Sequence, residues 1–417
     1  MSELPFNLES NPVCLRTWLF MSICCGIITA ILSQCKNFTV AGSPEIREYA
    51  GSKSCNQCHK KDVNSWLHTA HFMASRGADT AELDSKLKNV KLEYYFTDKK
   101  KIVLKKKGGK YYQSLFLNDK LEESHSLDIT VGGVKGENYF SWEGNSLYQL
   151  PLAYFVTLRS LSTSPGYNVH TANFDRAIKQ RCLECHSSYI KKLKPPVADG
   201  LPDHFDRNSV IYGIDCERCH GPSLAHVVYQ QTHPDIKTAR YICLFDTLSR
   251  QQKIDICASC HSGNKSYMLR SIFNFKPGNV LNDFMLPEPP LSPFDLTNLD
   301  VHGNQLQLLA QSKCFIGSKM DCTSCHNTHV NERGLSMTYS KRCQNCHGVA
   351  SNSFCKLKAN TGFLNMNCVN CHMPALPSTA IRVNTAATGK LIPYLMHTHL
   401  IKIYPKETKK TIVQFKN

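Results

Sequence analysis

From Lys91 onwards the chain breaks into short runs in which apolar and polar residues alternate, the period of a strand with one buried face. Lys91 to Phe96, Lys101 to Lys106 and Lys110 to Phe116 are three such runs, parted by Asp98-Lys99 and by Gly108-Gly109. Leu127 to Val131 and Asn138 to Trp142 continue the pattern across Gly132-Gly133 and Gly136. The reading is a small β-subdomain over residues 88–150. Ser65 to His71 reads as a helix, and helices elsewhere are expected to be short. Pro287-Glu288-Pro289-Pro290-Leu291-Ser292-Pro293 excludes regular helix and reads as a connection running over the surface.

Near the start, Trp18 to Ser33 is a mostly apolar run preceded by Arg16. It is short for a spanning helix and suits the core of a signal peptide. Leu32-Ser33-Gln34-Cys35 is similar to a bacterial lipoprotein cleavage box, although Gln34 stands where a small residue is usual, and it makes Cys35 a candidate lipid anchor. Ordinary cleavage and an uncleaved anchor are the alternatives. Each delivers the rest of the chain outside the cytoplasm, to a periplasmic or outer-membrane-associated place.

Composition changes the picture through one residue pair. The 417 residues include 21 cysteines and 18 histidines, far more than packing needs, while a 42% hydrophobic share argues against a polytopic membrane protein. Seven copies of Cys-x-x-Cys-His account for most of this excess: Cys55, Cys58 and His59; Cys182, Cys185 and His186; Cys216, Cys219 and His220; Cys257, Cys260 and His261; Cys322, Cys325 and His326; Cys343, Cys346 and His347; Cys368, Cys371 and His372. Chance predicts roughly 0.05 copies from the residue frequencies. On a helical turn residues i, i+3 and i+4 share a face, so two sulfurs and an imidazole point the same way. One porphyrin edge can then take two thioether bonds while the histidine reaches the iron. Zinc ribbons use paired cysteines but do not require a histidine directly after each second one. The cofactors read from the sequence are therefore seven covalently attached haem c groups.

The formal charge of +16 would ordinarily point to nucleic acid or an anionic surface. Two propionates on each of seven haems would offset fourteen of those charges, so no nucleic-acid partner is expected. The lysine runs at 99–101 and 105–107 read as a solvated face.

The distal side of each iron decides between electron transfer and substrate binding. His329 lies three residues beyond His326 and cannot reach the opposite face of the same haem, so it serves a neighbour or none. His71 and His226 are placed in the same way. His302, His170 and one of His397 or His399 complete the expected distal set, whereas His68, His125, His204 and His233 read as surface or hydrogen-bonding residues. Six candidates for seven irons leave room for one five-coordinate haem. Among the remaining cysteines, Cys314 and Cys355 bracket two motifs and are candidates for a disulfide, which would leave Cys243 a free thiol.

The domain reading runs from an export segment (1–35) through a first haem site (36–87), the β-subdomain (88–150) and sites two to four (151–286) to a connecting segment (287–320) and sites five to seven with a tail (321–417). Sites so closely spaced leave too little chain for separate cores. The expected fold class is mainly α with irregular loops, a small β-subdomain and a haem-dominated core.

The pattern resembles a family of exported multihaem cytochromes related to the tetrahaem cytochrome that accepts electrons from hydroxylamine oxidoreductase. Its marks are Gly51-Ser52-Lys53-Ser54-Cys55 with Trp66 and His71, Ile214-Asp215-Cys216 to Pro222 with His226, Asp300-Val301-His302-Gly303-Asn304-Gln305, and Asn370-Cys371-His372-Met373-Pro374. The resemblance implies bis-histidine haems in stacked and perpendicular pairs. The function expected is electron relay between donor and acceptor proteins, a membrane quinol-oxidising complex among the candidate donors. The alternative is an oxidoreductase acting on a small nitrogen or sulfur compound at one five-coordinate haem.

Overall fold

The computed structural model describes residues 48–168, 170–193, 201–263, 266–286, 304–348, 350–351, 354–357, 360–384 and 391–416. All of them fall in one compact unit, Glu45–Asn417. Residues 1–35, expected to be an export segment with Cys35 as anchor, the proline-rich connection and His302 lie outside the described residues.

Alternation does build strands where the sequence predicts them, and it builds more of them. A four-stranded meander is formed by β2 (Glu93–Thr97), β3 (Lys100–Lys107), β4 (Lys110–Leu117) and β5 (Lys120–Ser126). Gly108 and Gly109, at φ +57° and +76°, make the two-residue turn between β3 and β4, and Asn118 and Asp119 adopt the same left-handed region between β4 and β5. A second sheet takes in β1 (Ser75–Gly77), β6 (Ile129–Gly132), β7 (Gly136–Glu143), β8 (Ser146–Gln149), β9 (Leu152–Phe155) and β10 (Ser160–Thr163), in the order β1-β6-β7-β9-β10 with β8 also on β7. Strands thus run from Ser75 to Thr163. Leu152 to Phe155 is buried throughout, so it carries no alternation to reveal it.

A single core includes Tyr94, Ile102, Leu104 and Leu115 of the meander and Tyr139, Leu152 and Tyr154 of the larger sheet. The helix α3 (Thr80–Leu87) adds Leu83 and Leu87 to it, its N-terminus capped by the Asp79 carboxylate, which accepts from the Ala81 and Glu82 N–H groups. Beside this core, the fully buried Glu137 carboxylate is met by Arg76 at 2.5 Å and by Lys86, and both cations also reach Glu82.

The remainder consists of short helices. The first two are α1 (Ser52–Cys55) and α2 (Lys60–Trp66). The helix expected over Ser65 to His71 therefore begins earlier and stops at Trp66. The Thr69 hydroxyl donates to the Trp66 carbonyl and accepts from the Phe72 N–H, turning the chain into a 3-10 turn at Phe72–Ala74. The later ones are α4 (Gln180–His186), α5 (Cys216–His220), α6 (Leu224–Thr232), α7 (Arg250–His261), α8 (Gln305–Leu309), α9 (Lys313–Ile316), α10 (Ser336–His347), α11 (Thr361–Met366), α12 (Cys368–His372) and α13 (Pro405–Lys416). With three two-stranded pairs beside the two main sheets, the architecture is mixed α/β. Most of these helices are too short to be stable alone, so their caps and cross-connections carry them.

Candidate functional site

Each Cys-x-x-Cys-His sequence folds as a helical turn. Motif 2 lies in α4, motif 3 forms α5, motifs 4 and 6 end α7 and α10, and motif 7 forms α12. In motif 1 the His59 N–H donates to the Cys55 carbonyl at 2.8 Å, and in motif 5 the His326 N–H donates to the Cys322 carbonyl at 3.0 Å. The side-chain oxygens of Asp215 and Asp321 cap the turns of motifs 3 and 5. Burial, then the neighbouring Glu217, pushes the Asp215 carboxyl up to about 6.

The residues between the cysteines hold one motif against another. Glu217 of motif 3 accepts from the Ala50 and Gly51 N–H groups, both at 2.8 Å, at the entry to motif 1, and from the Ser223 N–H and hydroxyl on its own exit. Arg218 donates to the Ile272 carbonyl at 2.6 Å and to the Glu184 carbonyl of motif 2 at 3.3 Å. Glu184 is buried and accepts from the Ser271 hydroxyl at 2.6 Å. Arg181, just ahead of motif 2, donates to the Ser259 carbonyl of motif 4 at 3.4 Å. Arg250 of α7 donates to the Met320 carbonyl at 2.8 Å, just ahead of motif 5. Arg342 bonds to the Cys325 carbonyl at 2.7 Å and pairs with Glu332, joining motifs 5 and 6. Ser340 of α10 donates to the Met366 carbonyl at 3.0 Å, beside motif 7. None of these positions was singled out from the sequence; for the charged ones, a charge inside or close to an attachment motif was the available signal.

Thiols also link motifs: the Cys260 thiol of motif 4 donates to the Glu184 carbonyl of motif 2 at 3.7 Å, and Cys55 and Cys216, Cys257 and Cys322, and Cys343 and Cys368 are electrostatic neighbours.

Three of the expected distal histidines face a motif histidine. The ring centres of His71 and His261 are 6.3 Å apart, those of His220 and His329 are 6.0 Å apart, and those of His326 and His399 are 6.2 Å apart. Two metal–nitrogen bonds of about 2 Å, plus about 1 Å from each nitrogen to its ring centre, put the imidazoles of a six-coordinate iron about 6 Å apart. The spacing fits a haem iron between each pair. Burial, then His261, holds His71 down to about 4, and burial, then His326, does the same to His399. Both imidazoles are therefore neutral at pH 7, the form that ligates. An open cleft of about 840 Å³ beside His220, lined also by Leu224, Val228, Tyr229, Tyr241 and Cys243, is of cofactor-pocket size.

His226 sits on α6, its Nδ1 within 2.8 Å of the Arg240 carbonyl, the contact that commonly orients a ligating imidazole through its other nitrogen. The Gln231 amide of the same helix donates to the Gln57 side chain of motif 1 at 3.1 Å. His170 lies in an exposed loop where its N–H donates to Asn168. His397 has its Nδ1 2.6 Å from the Met373 carbonyl, next to motif 7. His125 is held between Glu123 and Glu143 and stacked on Phe174 at 4.4 Å, in keeping with a hydrogen-bonding role. The disulfide raised for Cys314 and Cys355 is not formed: both are free, with Cys314 in the electrostatic neighbourhood of Cys325 and Cys343, and Cys355 in that of Cys371. Cys243 is free as well, its N–H donating to the His220 carbonyl at 3.3 Å.

Motifs, ring spacings and fold together support a multihaem c-type cytochrome, a carrier of covalent haem c suited to electron relay. Within that class, the family model described as cytochrome c554 and c-prime matches residues 54–108 and 156–221. The solved structure of the outer cell wall cytochrome OcwA is similar in fold, with a TM-score of 0.53 and 14% identity over 87% of this chain and 82% of that one. No curated protein matches the chain. Among the described residues no helix is long and apolar enough to cross a membrane.

Proposed function

We propose that the chain binds seven haem c groups, one at each Cys-x-x-Cys-His motif, and relays electrons outside the cytoplasm between redox partner proteins. The observation that carries this reading is the trio of histidine pairs about 6 Å apart, each joining a motif histidine to a histidine from another part of the chain. Bound haem supplies a one-electron iron couple at each site. His261 with His71, His220 with His329 and His326 with His399 would hold three irons from both sides, and irons so held would be low-spin and shut to substrate. His226 serves motif 1, beside which its helix docks through Gln231 and Gln57. His170, His302 and His397 remain the candidates for the other sites. The staples at Glu217, Arg218 and Arg342 fix neighbouring sites so that little rearrangement accompanies a change of oxidation state. Packed haems form much of the core between the short helices.

The likeness to an outer cell wall cytochrome supports export, and so does the apolar segment before Cys35, which serves as the export signal with Cys35 as its lipid anchor. A membrane quinol-oxidising complex fits as donor, and the tie to acceptors of hydroxylamine-derived electrons belongs to the same proposal. A pyridine haemochrome count with electron paramagnetic resonance tests it: seven haems per chain and all-low-spin iron are expected. A colourless mature protein refutes the reading. One high-spin haem that binds nitrite or hydroxylamine would favour instead an oxidoreductase acting on a small nitrogen compound.

A further inference from the structure

We infer that the solvent face of α13 is the docking surface for an acidic redox protein, which exchanges electrons with the haem of motif 7; the inference rests on the relay proposed above. The segment that leads into α13 is stitched to motif 7 through its backbone. The Lys402 N–H donates to the His372 carbonyl at 3.3 Å, and the Lys402 carbonyl lies 3.0 Å from His372 Nδ1. A carbonyl in that place orients an imidazole so that its other nitrogen can reach an iron. α13 begins three residues further on, at Pro405. Its half-buried residues include Glu407, Thr408, Thr411 and Ile412, whereas Lys406, Lys409, Lys410 and Val413 are exposed. The exposed four stand at i, i+3, i+4 and i+7 and so share one face of the helix. Lys402 and Ile403 are exposed just ahead of it.

Charge names the occupant. From Ala375 to the end the chain carries seven basic residues and one acidic one, Glu407. Glu407 pairs with Lys410 at 3.0 Å, and among the described residues no other ion pair involves a lysine of this tail. The two propionates of one haem would not cancel such an excess. The other lysine-rich face, on the meander, is answered from within: Lys101 pairs with Asp119, Lys106 with Asp84 and Lys110 with Asp128. Unanswered positive charge beside a redox centre steers a negatively charged partner towards it and fixes its register. An anionic membrane would suit the charge but not the face. An interfacial helix presents a broad apolar side, and the described residues of this face offer only Val413 as a large apolar contact. A mostly polar patch of this kind suits the small, short-lived encounters of redox proteins. One electron crosses in each encounter, the partner being oxidised as the iron of motif 7 is reduced, or the reverse, with no atom transferred.

The test uses the full-length haem-loaded protein, with a plant-type iron–sulfur ferredoxin, an acidic one-electron protein, as the probe. Stopped-flow absorbance follows haem reduction by the reduced ferredoxin. The wild-type rate should fall steeply as salt rises, and Lys406→Glu/Lys409→Glu should be slower by about tenfold at low salt. Neutral lumiflavin semiquinone should reduce both proteins equally, which shows that the variant is intact. Lys105→Glu/Lys107→Glu, on the meander, should keep the wild-type ferredoxin rate. Carbodiimide, which joins amines to carboxylates in contact, should couple the ferredoxin to Lys406 or Lys409 of the wild type, and this result decides alone if the lumiflavin control fails. A ferredoxin rate unchanged in the α13 variant, an equal loss in the meander variant, or cross-links confined to meander lysines overturns the docking surface. Sedimentation with phosphatidylglycerol vesicles that disappears in the α13 variant while its ferredoxin rate holds gives the face to a membrane instead and overturns it too. Failure of the relay reading shows separately, as a wild-type protein that carries no haem or that lumiflavin does not reduce.

Discussion

Glu217 shows how much one side chain does at the scale of a residue. It is 3% exposed, occupies a position the attachment motif leaves free, and satisfies four donors, two at the entry to motif 1 and two on its own exit. Glu217→Ala strands the two buried Ser223 donors, each costing about 1–3 kcal/mol, and frees the half-buried Ala50 and Gly51 N–H groups. The thermal melt of the haem-loaded variant should fall by several degrees with its haem content unchanged; an unchanged melt would sink this account. Gly213, by contrast, is defined by what it lacks. At φ +67°, an added Cβ would sit 2.5 Å from the Phe72 carbonyl oxygen, in the segment that presents His71. The motif cysteines and histidines were legible from spacing alone, because covalent attachment needs those residue types in that order. Glu217 and Gly213 were not, since their roles depend on chain more than a hundred residues away.

At the scale of elements, the sheets and the motif helices rest on different forces. The β-unit has an ordinary apolar core with the Arg76, Glu82, Lys86 and Glu137 cluster beside it. Burial opposes ionisation of Glu82, but hydrogen bonds and charge from Arg76 and Lys86 outweigh it and hold the carboxyl at about 2, against 4.5 unperturbed. A depressed folded-state value adds stability that is complete above the unfolded value and disappears as protons bind. Acid unfolding of the β-unit, followed by circular dichroism, should therefore set in as pH falls from about 4.5 towards 2. Glu82→Gln should flatten that dependence, and an identical acid profile in the variant would disprove the assignment. The central strands were readable because one face is buried and the other wet. β9 and β10 escaped because burial on both faces erases the alternation, and the helix after motif 1 was placed late because Thr69 ends it through a local hydrogen bond that periodicity does not register.

For the whole molecule, charge and connectivity matter most. The bare chain is formally +16, and seven haems would bring fourteen propionate charges against it. Isoelectric focusing should find the haem-loaded protein far less basic than its sequence, with the apo-chain focusing well above it; coincident bands would contradict seven attached haems. The fold class was only partly visible beforehand, since the mixed α/β character follows from sheets assembled across distant segments, while the count of attachment motifs was plain. Connectivity also decides what a truncation removes. His71 faces His261, His220 faces His329 and His326 faces His399, so each proposed pair closes only when chain far downstream has appeared. Loss of the chain from position 399 onward would therefore strip the partner from His326 of motif 5 while leaving the His71–His261 and His220–His329 pairs in place.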